Sequence, residues 1–211
     1  MSSNNYSDNV FINIPFDDEY QEMKNALVFA IYDCGFVPRC ALEESNGANI
    51  RLEKIITLME ESKYGIHDIS RTDVDKKSKL PRFNMPLELG VFLGAKHFGH
   101  GKQKQKNCLI FDRDKYRYQK FISDISGQDI CAHNNKPHQL IKQIRDWLNN
   151  FTKRKTQIPG GKMITKRYKK FKSQLPKMCK EIQIEIDELT FNDYSLLASE
   201  WLQKNPWREK Y

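Results

Sequence analysis

Between residues 10 and 150, short apolar runs of strand length alternate with longer segments of helical period. That alternation constrains the fold more than any other feature. Val10-Phe11-Ile12-Asn13-Ile14 reads as a strand, with Pro15-Phe16-Asp17 turning out of it. From Asp18 onward Tyr20, Met23, Ala26, Leu27, Ala30 and Ile31 follow a helical period, which Gly35 stops at the expected C-cap position. Further strands are expected at Phe36–Cys40, Lys63–His67 and Cys108–Phe111, with a short fifth inside Gly127–Ala132. A helix capped by Asn49 carries Leu52, Ile55, Ile56 and Met59 on one face. Tyr116–Ser123 reads as another helix, and Pro137–Phe151 as an amphipathic one through Leu140, Ile141, Ile144, Trp147 and Leu148. Strands separated by helices at this spacing imply βαβ units and an α/β fold. The simplest arrangement is a flavodoxin-like parallel sheet of order 2-1-3-4-5 with right-handed crossovers, flanked by helices.

Beyond this unit the chain changes character. The formal net charge is +8, but eleven Lys or Arg and no acid lie between Phe151 and Lys180. Without those eleven the chain would carry -3, so the basic character is local and marks a boundary. Residues 1–150 are read as the α/β domain and 151–211 as a basic helical C-terminal extension. A linker is expected over 152–162, ending in Pro159-Gly160-Gly161. Met163–Glu188 reads as one long helix or two, broken at Pro176, and Thr190 starts a last helix through Leu196, Leu197, Trp201 and Leu202. This tail is short for an independent domain and is expected to pack on the first domain or on a partner, either another copy or a different protein. Lys166-Arg167-Tyr168-Lys169-Lys170-Phe171-Lys172 interleaves aromatics with cations. Residues 153–180 can therefore hold a nucleic-acid backbone, or simply form a solvated helix face.

Composition removes several classes. Hydrophobic residues make up 39% of the 211 positions, with 12 Phe and 9 Tyr, enough for a core. Mean hydropathy is -0.72, and no apolar run approaches the ~20 residues of a membrane span. The polar start, Met1-Ser2-Ser3-Asn4-Asn5, lacks the basic flank and apolar core of a secretory signal. Cys34, Cys40, Cys108, Cys131 and Cys179 are odd in number and form no Cys-x-x-Cys pair, so reduced thiols in a cytoplasm are expected.

The segment from Leu80 to Lys96 has one acid, Glu88, set among Leu87, Leu89, Val91, Phe92, Leu93 and Ala95. An all-round apolar helix is expected to be buried. Asn84 can cap it, Pro86 fits its first turn, and Glu88 then lies near the positive end of the helix dipole. Burying a carboxylate is costly unless it has a partner or a task. In open parallel sheets ligands bind beyond the carboxyl ends of the strands. That rule gathers Asn13, Pro15 and Phe16 after the first strand, Arg39 and Glu43 after the second, and Asp68 and Ser70 after the third. Arg82, Asn84 and Glu88 join them at the start of the following helix.

A strand followed by a Pro-Phe turn, a third strand ending in an acid, and Met85-Pro86-Leu87-Glu88-Leu89-Gly90 together resemble nucleoside 2-deoxyribosyltransferases. They are also similar to the TIR-like N-glycosidases, some of which cleave NAD in bacterial defence against phage. Tyr64-Gly65-Ile66-His67-Asp68-Ile69-Ser70-Arg71 and Arg82-Phe83-Asn84-Met85-Pro86 look like an uncharacterised bacterial branch of that group. The resemblance covers residues 10–150 as architecture and the Glu-Leu-Gly region as motif. It departs where the transferases show an Asp-Gly-Thr style turn before their Glu; here the chain has Arg82-Phe83-Asn84-Met85. The resemblance implies that Glu88 attacks or stabilises the anomeric carbon of a ribose. It places the first-loop role on Asn13, Pro15 and Phe16 and polar roles on Asp68 and Ser70. The implied substrate is NAD or a related nucleotide, with no separate cofactor and no metal.

Breaking a C1'–N bond places positive charge on the ribose, which a nearby carboxylate stabilises or captures. A neutral purine also needs a proton donor, for which Asp68 or His67 is available; bound nicotinamide is already cationic and does not. Arg39 and Arg82 suit nucleotide phosphates, and Phe16 can stack on a base. Each has a structural alternative: Asp68 caps its turn, Phe16 joins the core, Arg39 pairs with Glu43 or Glu44, and Arg82 neutralises Glu88. Two other readings of the chain stand beside the enzyme. One is a nucleotide-binding signalling module without turnover; the other is a nucleic-acid-associated protein using the tail.

Overall fold

A computed structural model of the chain describes residues 5–43, 46–48, 50–74, 79–151 and 158–207. Five strands, β1 (Asn9–Asn13), β2 (Val37–Arg39), β3 (Tyr64–Asp68), β4 (Asn107–Asp112) and β5 (Ile130–Ala132), pair in parallel in the order β2-β1-β3-β4-β5. This is the expected α/β sheet. Among the described residues, no helix is long and apolar enough to cross a membrane.

Side-chain alternation along the strands sets the two layers. Val10 and Ile12 of β1, Tyr64 and Ile66 of β3, and Leu109 and Phe111 of β4 enter one core. Helices α1 (Gln21–Asp33) and α4 (Pro137–Leu148) cover that face. Phe11, between Val10 and Ile12, points the other way and packs with Ile55, Leu58 and Met59 of α2 (Arg51–Glu60) and Phe92 of α3 (Asn84–Phe98). Gly65 is next to Phe11 in the sheet and faces the same layer. A Cβ built there would stand 2.8 Å from both His67 Nε2 and the Phe92 ring. Gly65→Ala is therefore expected to cost about 1–3 kcal/mol through overpacking, read as a lower midpoint in urea unfolding.

The extension joins the same core. Helix α5 (Gly161–Glu181) and helix α6 (Phe191–Lys204) bring Tyr168, Phe171 and Trp201 around Phe29 of α1, with ring centroids 5.6, 5.2 and 5.8 Å away. Thr190 caps α6 as expected: its hydroxyl accepts from the Asp193 N–H, and the Asp193 carboxylate accepts in return from the Thr190 N–H. Helix α5 runs unbroken through Pro176. Pro176 is on the exposed side of the helix, where water can satisfy the carbonyl that its missing N–H leaves free.

Three other local expectations change. Helix α3 is not buried all round: only Leu89 and Phe92 are, while Leu87 is 59% and Phe98 85% exposed. The helix rests on the sheet by one side, and apolar composition alone does not reveal how many sides are covered. Asn84 is its first helical residue rather than its cap; Phe83 holds the cap position without a side-chain hydrogen bond. Tyr116–Ser123 forms only short 3-10 turns, Arg117–Lys120 among them. Asn49, Glu44 and residues 152–157 lie outside the described residues; Ile50 occupies the α2 cap position.

Candidate active site

Strand β1 lies between β2 and β3, so the chain leaves its carboxyl end toward neighbours on both sides. A crevice opens where those connections diverge. A cleft of about 530 Å³ occupies this position. Its wall takes Asn13, Pro15, Phe16 and Asp17 from the end of β1, Arg51 from the first turn of α2, and Arg71 from the loop after β3. Arg82, Asn84, Met85 and Glu88 complete it from the start of α3.

Glu88 is the fifth residue of α3 and is half-buried. Among the described residues, its carboxylate takes part in no hydrogen bond or salt bridge. Burial pushes its carboxyl up to about 7, against the opposing positive charge of Arg51. The expected alternative, neutralisation by Arg82, is not the observed arrangement: Arg51 supplies the opposing charge.

Asn13 ties β1 to this helix. Its amide nitrogen donates to the Met85 carbonyl at 2.8 Å and lies 3.1 Å from His67 Nδ1. Spending the amide hydrogens this way makes His67 Nδ1 the acceptor and leaves the ring proton on Nε2. His67 is fully buried, and burial plus the charge of Lys106 lowers it to about 3, so the ring is neutral. It packs edge-on against Phe92, with centroids 4.9 Å apart. His67 thus supports the start of α3 from below and does not line the cleft.

Asp68 is also fully buried. It accepts from the Tyr20 hydroxyl and from the Ser70 N–H at 2.8 Å, and His133 Nε2 stands 3.0 Å from it. His133 Nδ1 accepts from the Asn135 N–H at 3.0 Å, which leaves the ring proton on the nitrogen facing Asp68. Burial alone would raise the Asp68 pKa; His133, then Ser70 and Tyr20, outweigh it and hold the pKa below the ordinary value. Tyr20 is pushed well above its own ordinary value by burial and by Asp68. A carboxylate kept ionised and away from the cleft cannot protonate a leaving group, so the role of second acid does not fall to Asp68. Ser70 is buried beside it and contributes its backbone N–H.

Arg39 and Glu43 form a salt bridge at 2.9 Å, and Arg39 reaches Glu61 at 3.3 Å. This pair stands after β2 and takes no part in the cleft wall, so Arg39 is a structural arginine. Phe16, by contrast, is 39% exposed and turned to the cleft rather than the core.

Three charged cleft residues were not singled out from sequence. Asp17 and Arg71 pair across the mouth at 3.0 Å, and Arg71 also meets Glu19 at 2.9 Å. Arg71 followed a strand end and was findable by the same rule that selected Ser70. Arg51 had no such signal, because it arrives on the N-terminus of a helix that only tertiary packing brings to the edge.

The fold and cleft define a class: a flavodoxin-like α/β protein with a half-buried carboxylate at the sheet's switch point. Comparison with protein-family models, with curated proteins and with solved structures finds no match to this chain.

Proposed function

We propose that the chain is an N-glycosidase that cleaves the ribose-to-base bond of NAD or a related nucleotide. The observation carrying this reading is Glu88, a carboxylate with no hydrogen bond or salt bridge among the described residues, half-buried in a cleft of nucleotide size. In the reaction the C1'–N bond breaks and its electron pair goes to the base. Nicotinamide, cationic while attached, leaves neutral. Glu88 bonds to C1' or stabilises the positive ribose until water adds there and releases a proton. The withdrawal of Asp68 from the cleft favours such a leaving group over a neutral purine, which Asp68 is not placed to protonate. Arg51 and Arg82 line the cleft with charge that suits nucleotide phosphates, and Phe16 presents a ring to a base. The Glu-Leu-Gly resemblance points the same way. This reading places the protein in the cytoplasm, where its substrate is abundant and its thiols stay reduced.

The test is release of nicotinamide or free base from NAD, nicotinamide mononucleotide and nucleosides, followed by chromatography. Glu88 acts ionised, so kcat/KM should climb as pH rises through about 7 and flatten above it. A cationic substrate beside Glu88 favours its charged form, so the kcat midpoint should lie lower. A profile flat from pH 5.5 to 8.5 would remove Glu88 as the acting group. Tight NAD binding with no product would leave the non-turnover binding module instead.

A further inference from the structure

We infer that the solvent face of α5 docks the phosphate backbone of a nucleic-acid duplex, by charge and without reading its bases. Ile164, Tyr168, Phe171, Leu175 and Cys179 turn inward into the core. The opposite face carries Lys162, Lys166, Lys169, Lys170, Lys177 and Lys180, all exposed. At ~1.5 Å per residue this row is about 27 Å long. The other cations of the helix are engaged: Arg167 pairs with Asp33 at 3.0 Å, and Lys172 with Glu22 at 2.7 Å. Facing acids are sparse: Glu181 stands 4.0 Å from Lys177, and Asp146 of α4 is held by Lys142 at 2.7 Å.

The burial pattern chooses the partner. Single strands bind through aromatic stacking, but Tyr168 and Phe171, which interleave with the lysines in sequence, are core residues. A membrane-surface helix needs apolar side chains beside its cations. Here the lysine row is interrupted only by Ser173 and Pro176, and the one exposed apolar residue within the helix is Met163, at its start. A protein partner would need an apolar centre for its contacts, which the row lacks. A straight row of flexible point charges fits a rod with regularly repeated phosphates.

The test uses the full chain and fluorescein-labelled 20-bp DNA duplexes of two unrelated sequences, read by anisotropy. Both should bind alike. With about four phosphates neutralised, affinity should fall roughly a hundredfold between 50 and 200 mM NaCl. Lys166→Gln/Lys169→Gln/Lys170→Gln/Lys177→Gln should weaken binding at 50 mM salt at least tenfold and flatten the salt slope. If that variant melts early, Lys169→Glu/Lys170→Glu takes its place. Removing equal charge elsewhere, at Lys102, Lys115, Lys120 and Lys136, should change Kd less than threefold, and Glu88→Gln should bind as wild type. No binding at 50 mM salt, an equal loss in the control variant, or tighter binding to phosphatidylserine vesicles than to duplex would each overturn the inference. None of these outcomes bears on the glycosidase assay.

Discussion

Glu88→Gln is expected to cut base release from NAD on the order of a thousandfold or more, while nucleotide binding stays within a few fold. Gln keeps the shape of the side chain but can neither bond to C1' nor offset its charge. The same substitution should stabilise the protein at high pH. The folded carboxyl sits at about 7, above its ordinary 4.5. Stability is then full below about 4.5 and falls as pH rises through about 7, because the folded state resists ionisation. Gln carries no such penalty. Allowing for partial exposure, the variant should gain about 1 kcal/mol at pH 8, a rise of about 2–4 °C in Tm, and nothing at pH 4. Lost turnover with a higher Tm at pH 8 is the mark of a carboxylate held for chemistry. Lost turnover with a lower Tm would make Glu88 a structural residue, and unchanged turnover would end the glycosidase reading.

Phe171→Ala should lower stability by about 3–5 kcal/mol, roughly 10 °C in Tm, without splitting the transition. Phe171 is fully buried, with ring centroids 5.2 Å from Phe29, 5.7 Å from Tyr194 and 5.8 Å from Trp201. These residues come from α1, α5 and α6, so the cavity opens in a core shared by the α/β layer and the extension. Calorimetry should show one cooperative peak moving as a unit. Two peaks, with only the smaller displaced, would show that the extension unfolds on its own.

The features legible in sequence have short range. Strand and helix periods depend on neighbours two to four residues away, and they were enough for the parallel order β2-β1-β3-β4-β5. The Thr190 cap reads from Thr190 and Asp193, three apart. Glu88 stood out as the single acid in an apolar stretch, and the strand-end rule brought Asn13, Pro15 and Phe16 to the same cleft, where Arg82 and Asn84 lie beside it at the start of α3. The rule failed where a strand-end side chain is already held by partners outside the cleft. Arg39 is satisfied by Glu43 four residues on, and Asp68 by Tyr20 and His133, which lie far away in the chain.

What the chain determines by itself is its periodicity, its single apolar-flanked acid and the placement of its basic run. Tertiary structure alone decided which face each side chain presents. It opened one side of α3, brought Arg51 to oppose Glu88, sank Asp68 beneath the crevice, and turned Tyr168 and Phe171 inward, which leaves a row of exposed lysines along α5. The physical reason is that the charge state and exposure of a side chain depend on groups within a few ångströms, and those groups come from segments that only the folded sheet and its helices bring together.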